Sequence, residues 1–205
     1  FDVTSGALLK VWHNYREQGL IDNSNNEYGK VPSNQELELA NACQGWEHII
    51  IDDSASTVYI DDPCVSLDVG GIAKGFATEK MQSYAQENMD KGFIINAGGN
   101  SALVNPNNSL FALSIGNDEN IVTSGDYQRY YIGEDGLTYG HIIDPSTLYP
   151  PREFRSVSII CEDSGIADGL STILFTTSYQ QGLEILEKAK SVFGLDELGA
   201  VWIWD

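Results

Sequence analysis

The periodicity of the chain changes twice along its length, and this constrains the fold more than any single motif does. Residues 6–18 (GALLKVWHNYREQ) place Leu8, Leu9, Val11, Trp12 and Tyr15 at near-helical spacing, with Gly19 as a stop. An Asn/Asp/Gly-rich loop over 20–32 follows, and Ser33-Asn34-Gln35-Glu36 is a capping box opening a short helix to about Cys43. HIIIDD (48–53) and TVYIDD (57–62) read as a β-hairpin. Residues 72–88 fit a helix whose buried stripe would be Ile72, Phe76, Met81, Tyr84 and Ala85. From Gly92 to Ile160 the pattern shortens to strands: FIIN, SALV, LFALSI, QRYYI and RSVSII. Two helices, about 164–176 and 179–191, and a last strand AVWIW (200–204) close the chain. Helix-rich, strand-rich and helix-rich stretches in turn predict an α+β fold rather than a regular βαβ alternation. No repeat or linker interrupts the pattern, so a single domain over 1–205 is expected.

Composition narrows the function classes. Thirty Asp+Glu against 11 Lys+Arg leave a net charge of −19. Nucleic acid is disfavoured, because phosphate binding needs basic patches that release counterions. Binding to anionic lipid through a basic face is disfavoured on the same ground. An anionic ligand could bind only through backbone amides, a helix N-terminus or a metal ion. The three cysteines, Cys43, Cys64 and Cys161, form no CxxC pair. One disulfide is possible, but three buried thiols are the expectation. No apolar run reaches the ~18 residues of a membrane span.

Five constellations could carry chemistry. In Leu67-Asp68-Val69-Gly70-Gly71-Ile72-Ala73-Lys74-Gly75, paired glycines let backbone approach a ligand at a helix start, and Lys74 adds a scarce positive charge. A tight β–α turn with a solvated lysine reads the same way. Asn96-Ala97-Gly98-Gly99-Asn100 after FII is a second glycine pair, or simply a turn between strands. Thr123-Ser124-Gly125-Asp126 suits a loop closing over phosphate or sugar, although the tail after it has the alternation of a half-exposed strand. His141-Ile142-Ile143-Asp144-Pro145 holds one of only three histidines, and His13 and His48 share no metal-ligand spacing with it. In DSGIADGLSTIL (163–174), Asp168 and Thr172 lie one helical turn apart among Ile166, Leu170, Ile173 and Leu174. A carboxylate and a hydroxyl in that setting are costly unless paired or bound to a cation, and oxygen ligands suit Mg²⁺. A hydroxyl bonded to its own helix beside an exposed Asp is the alternative.

Taken in order, FDVTSGALLKVW, LDVGGIAKGFA, INAGGN, TSGDYQRYY, YGHIIDP and SGIADGLSTILF closely resemble the ApbE family, the FAD:protein FMN transferases. The blocks run from Phe1 to about Phe175. The resemblance implies an ApbE-like, T-fold-like α+β domain with a mixed or antiparallel sheet flanked by helices. It implies Mg²⁺-dependent cleavage of FAD, with FMN passing to a threonine of a target protein carrying D-x-x-[ST]-G-A-T and AMP leaving. The alternatives it implies are an FAD pyrophosphatase giving FMN and AMP, or a catalytically silent flavin-binding remnant. Carried over by position, Asp168, Thr172 and the Gly71 carbonyl match the metal ligands, and His141 matches the catalytic histidine. Phe1, Asp2, Asp68, Lys74, Ser124, Gly125 and Ile143 match cofactor-contacting positions. The family also implies an extracytoplasmic, membrane-anchored lipoprotein.

Departures from the family pattern are local. Blocks normally N-terminal to Phe1 are absent, so a domain without its N-terminal segment is expected. Leu148 stands where the family usually has Gly after Asp-Pro-x-Thr, Gly169 replaces a common Ala, and Asn100 an acidic residue. Asp2-Val3-Thr4-Ser5-Gly6-Ala7 mimics the acceptor motif, but Leu8 occupies the acceptor position and has no hydroxyl, so this stretch is read as a helix start.

Overall fold

The computed structural model describes residues 2–89, 93–98, 100–104 (backbone only), 120–127 and 129–204. Phe1 and the strand expected at LFALSI (110–115) lie outside them. The helices are α1 Gly6–Ser24, α2 Asn34–Asn41, α3 Gly70–Asn88, α4 Ser164–Phe175 and α5 Tyr179–Phe193. The strands are β1 Ile49–Asp52, β2 Thr57–Ile60, β3 Phe93–Asn96, β4 Asn100–Val104, β5 Asn120–Gly125, β6 Tyr130–Ile132, β7 Thr138–Gly140, β8 Ser156–Cys161 and β9 Leu198–Ile203. These elements form two compact units, one of Phe1–Val69 with Asp126–Pro151, the other of Gly70–Gly125 with Arg152–Asp205.

In the first unit, α1 and α2 pack with the β6–β7 hairpin around Leu8, Trp12, Leu37, Tyr131, Tyr139 and Ile143. Trp12 and Tyr139 stack at 5.4 Å and Tyr131 and Tyr139 at 5.5 Å, a geometry worth about 0.5–1.5 kcal/mol per pair beyond burial. Gly19 does not stop α1, which runs on to Ser24. The ring of Tyr131 sits where a Cβ on Gly19 would be, so the glycine serves packing rather than termination. Ser33 caps α2 through the Glu36 amide at 3.3 Å. The Glu36 carboxylate accepts from Tyr15 Oη at 2.8 Å, and this bond raises the Tyr15 pKa.

The hairpin expected at 48–62 forms as β1 and β2, in register Ile49↔Ile60 to Asp52↔Thr57. Cys43 and Cys64 flank it and are joined in a disulfide with Cα atoms 5.3 Å apart, so the expectation of three thiols is overturned. The hairpin brings the two ends within bridging reach although 21 residues separate them. Cys161 alone stays a thiol, and burial pushes its pKa up.

The second unit is an antiparallel sheet, β3-β4-β5-β8-β9, covered by helices. Strand alternation puts Val122, Val157 and Ile159, each 0% exposed, on the face carrying α4, whose Ala167 and Leu174 are equally buried. Each such Val, Ile or Leu contributes roughly 1.5–3 kcal/mol. Thr123-Ser124-Gly125 belongs to β5 in the middle of this sheet, correcting the expected loop. In the Asn96–Asn100 stretch, Asn96 ends β3, Asn100 opens β4 and Gly98 has φ +60°, while Gly99 lies outside the described residues.

Helix α3 buries only part of the expected stripe: Ala85 is buried and Ile72 half-buried, but the rest of the buried face is different. Gly75, Thr78, Gln82 and Ala85 are buried, while Phe76, Met81 and Tyr84 are 60%, 55% and 68% exposed. The reason is close backbone approach. A Cβ on Gly75 would collide with the Ser164 carbonyl and the Asp168 side chain, so the small-residue face alone lets α3 reach α4. On the outer face, Lys80 Nζ lies 5.3 Å from the centre of the Phe76 ring.

Two glycines therefore respond oppositely to alanine. Gly75→Ala is expected to lower unfolding free energy by about 1–3 kcal/mol through overpacking. Gly169→Ala, which meets only Ile72 Cγ2 at an ordinary 3.5 Å, is expected to raise it by about 0.5–1 kcal/mol. Urea unfolding of both variants checks the pair. Glu79 adds a pH signature. Its half-buried carboxylate accepts from the Ser164 amide at 2.9 Å, and desolvation raises its pKa above the ordinary 4.5. The folded state thus favours the protonated form, a stabilisation complete below 4.5 and lost as pH rises through the raised pKa. Glu79→Gln keeps the acceptor without the charge, so its unfolding midpoint should exceed the parent's at pH 7 and converge with it toward pH 4.

Candidate functional site

The second unit gathers most of the residues singled out in the sequence. Asp163 caps α4 by accepting from the Ile166 amide at 2.8 Å, which sets the helix phase. That phase turns Asp168 inward to 2% exposure, against α3. A buried carboxylate needs partners. Its Oδ2 accepts from the Gly75 amide at 2.9 Å, and its Oδ1 lies 3.5 Å from Lys74 Nζ. Lys74 also donates to the Gly70 carbonyl at 3.2 Å.

The Gly75 bond bears directly on Gly71. An α-helix directs the amide of residue i at the carbonyl of i−4, so the Gly71 carbonyl competes with a carboxylate for its donor. The Gly71 carbonyl lies one turn before Gly75 along α3.

Thr172 Oγ1 lies 3.3 Å from the Asp168 carbonyl and 3.4 Å from Ser124 Oγ on β5. Ser124 Oγ is 2.8 Å from Ser171 Oγ, and Ser171 donates to the Asp168 carbonyl at 3.0 Å. Lys74, Ser124, Asp168 and Thr172 are thus brought together by α3, β5 and α4, while Gly125 follows Ser124 on β5 and Gly71 lies in the first turn of α3. Ser171, fully buried, is the member that motif reading passed over, although its place between Asp168 and Thr172 was the available signal.

The donor set is oxygen only: one carboxylate, one hydroxyl and backbone carbonyls. Among the described residues no group of three or more His, Cys, Asp and Glu is placed to hold a metal. A thiophilic or imidazole-seeking metal finds no ligands of its type here. A hard divalent cation with one protein carboxylate, completed by water and phosphate oxygens, matches the set. Lys74 meanwhile supplies positive charge to Asp168. An apolar cleft of about 390 Å³ lies on the neighbouring face of α4, lined by Ile72, Phe76, Ile166, Gly169, Leu170 and Phe193 among others, and holds none of the expected site residues.

The remaining candidates sit in the first unit. Asp2 Oδ1 accepts from the Thr4 amide and hydroxyl, both at 2.8 Å, and the Asp68 amide donates to the Val3 carbonyl at 2.8 Å. The segments carrying Asp2 and Asp68 therefore run side by side, reinforced by a Ser5–Ser66 bridge. His141 is half-buried just after β7, and Ile143 is 8% exposed within the aromatic cluster. The turn beyond them is held by the Asp144 amide on the Tyr149 carbonyl and by Trp12 Nε1 on the Leu148 carbonyl. Leu148 has φ +66°, a left-handed conformation that favours glycine. Leu8 is 1% exposed in the core, as its reading as part of a helix start requires. His13 and His48 belong elsewhere, beside Arg16 and Asp61; the Asp61 bond raises the His48 pKa.

Comparison with known proteins gives matches both in sequence and in fold. The model of the ApbE family covers residues 1–194. An FAD:protein FMN transferase of Klebsiella pneumoniae is 30% identical over 205 residues, covering 94% of this chain and 61% of the relative. The protein of that name from Vibrio cholerae is 29% identical, covering 91% and 58%. The crystal structure of the ApbE protein of Thermotoga maritima superposes with a TM-score of 0.74 at 31% identity, covering 98% of this chain and 67% of that one. The flavin transferase ApbE of Vibrio cholerae gives 0.72 at 26%, covering 99% and 64%. The chain spans about three fifths of the length of the curated relatives it matches. With the family model matched over nearly its whole length, this chain belongs to the ApbE family.

Proposed function

We propose that this chain carries out Mg²⁺-dependent transfer of FMN from FAD to a threonine of a target protein, releasing AMP. The observation that carries the reading is the buried Asp168 carboxylate, held by the Gly75 amide and Lys74, one helical turn from Thr172. Asp168, Thr172 and the Gly71 carbonyl would hold the metal. Bound Mg²⁺ would supply Lewis-acid charge and a template at a phosphoryl group. A chain of net charge −19 needs such a cation, with Lys74 in support, to accept a pyrophosphate. In the transfer, the threonine oxygen bonds to the FMN phosphorus, the bridging P–O bond breaks toward AMP, and His141 takes the threonine proton. Asp2, Asp68, Ser124, Gly125 and Ile143 are assigned to contacts with FAD.

The acceptor is proposed to carry D-x-x-[ST]-G-A-T. An extracytoplasmic location fits the Cys43–Cys64 disulfide, since such bonds persist in oxidising compartments. Among the described residues no helix is long and apolar enough to cross a membrane.

Incubating the chain with FAD, Mg²⁺ and a DxxSGAT peptide is expected to give FMN-labelled peptide and AMP in equal amounts. Free FMN with unlabelled peptide would instead mark a pyrophosphatase, and FAD binding without AMP release would overturn both enzymatic readings. His141→Ala should lower AMP release about 10²- to 10⁴-fold while FAD still binds. Full transfer activity in that variant would remove His141 from the general-base role.

A further inference from the structure

The hydroxyls around α4 carry more order than a ligand list conveys. Each serine or threonine hydroxyl has one proton to give and two lone pairs to offer, whereas a carbonyl only accepts. Ser171, 0% exposed, gives its proton to the Asp168 carbonyl at 3.0 Å. The 2.8 Å contact between Ser171 Oγ and Ser124 Oγ admits either hydroxyl as donor, and with the Ser171 proton on the carbonyl Ser124 is the donor there. With that proton spent, Ser124 faces Thr172 Oγ1 at 3.4 Å as an acceptor too. Thr172 is left to give its own proton to Ser124 or to the Asp168 carbonyl at 3.3 Å, and neither neighbour aims a hydrogen at its oxygen.

We infer that Ser171 is a positioning residue that acts through Ser124 to keep the lone pairs of Thr172 turned toward a bound divalent cation. This rests on the assignment of Asp168 and Thr172 as metal ligands. The inferred order runs Thr172 to Ser124 to Ser171 to the Asp168 carbonyl, with the carbonyl as its terminal acceptor. Burial keeps water from joining the exchange at Ser171, so its proton is shared only among these protein oxygens. Removing the Ser171 hydroxyl frees the Ser124 proton, and its nearest remaining partner is the oxygen that the metal needs.

The consequence is an unusual pattern of suppression. Ser171→Ala should weaken binding of Mn²⁺, used as a spectroscopic probe of the site, about 10-fold, the scale of groups that orient metal ligands. Ser124→Ala alone should cost less, because Thr172 keeps the Asp168 carbonyl as acceptor and gains no competing donor. The double variant Ser124→Ala/Ser171→Ala should bind Mn²⁺ like Ser124→Ala, so the second substitution rescues the first. The measurement is an EPR titration of the FAD-free protein with Mn²⁺, repeated with Mg²⁺ as competitor, alongside Asp168→Asn. Additive losses in the double variant, or an unchanged dissociation constant in Ser171→Ala while Asp168→Asn binds poorly, would overturn the relay and leave the metal site standing. Mn²⁺ binding unaffected by Asp168→Asn would overturn both.

Discussion

A carboxylate that folding has taken out of water is the constraint on which the second unit is arranged. Left alone, an ionised Asp168 at 2% exposure would cost several kcal/mol. The fold answers with a backbone amide on one oxygen and an ammonium beside the other. Both partners come from one turn of α3, Lys74 and Gly75, so the position of α3 on α4 follows from satisfying this group. Gly75 supplies the amide and, lacking a Cβ, also leaves room for α4 to approach. The same choice dictates which face of α3 is buried and leaves Phe76, Met81 and Tyr84 outside. Packing of large apolar side chains gives way to a polar requirement that has few geometric solutions.

The first unit solves a different problem, fixing an irregular segment that carries His141 and Ile143. Its solution is aromatic. Trp12, Tyr131 and Tyr139 stack on one another, and the indole N–H reaches across to the Leu148 carbonyl. Leu148 adopts a left-handed backbone at a cost of order 1 kcal/mol, offset by its packing against the same cluster. The disulfide between Cys43 and Cys64 closes the exposed β1–β2 hairpin, which buries little apolar surface of its own.

Much of this was legible in the residues because local signals and tertiary structure agree. The Ser33 cap, the 48–62 hairpin, the α+β order and the last two helices follow from propensity, capping and alternation that neighbouring residues determine together. Asp168 and Thr172 were visible because a carboxylate and a hydroxyl one turn apart in an apolar helix demand an explanation.

What the sequence by itself determined is therefore the kind of element at most positions, the family to which the chain belongs, and the placing of Asp168 and Thr172 one turn apart on one helix. Only the tertiary structure decided which face of α3 is buried, that Gly19 serves Tyr131 rather than ending a helix, that Thr123-Ser124-Gly125 lies within the sheet, and that Cys43 meets Cys64. The physical reason is common to all four. Each depends on atoms distant in the chain competing for the same small volume, and neither periodicity nor spacing encodes how close two backbones can come. The hydroxyl order through Ser171 belongs to this second class, since it exists only where β5 meets α4.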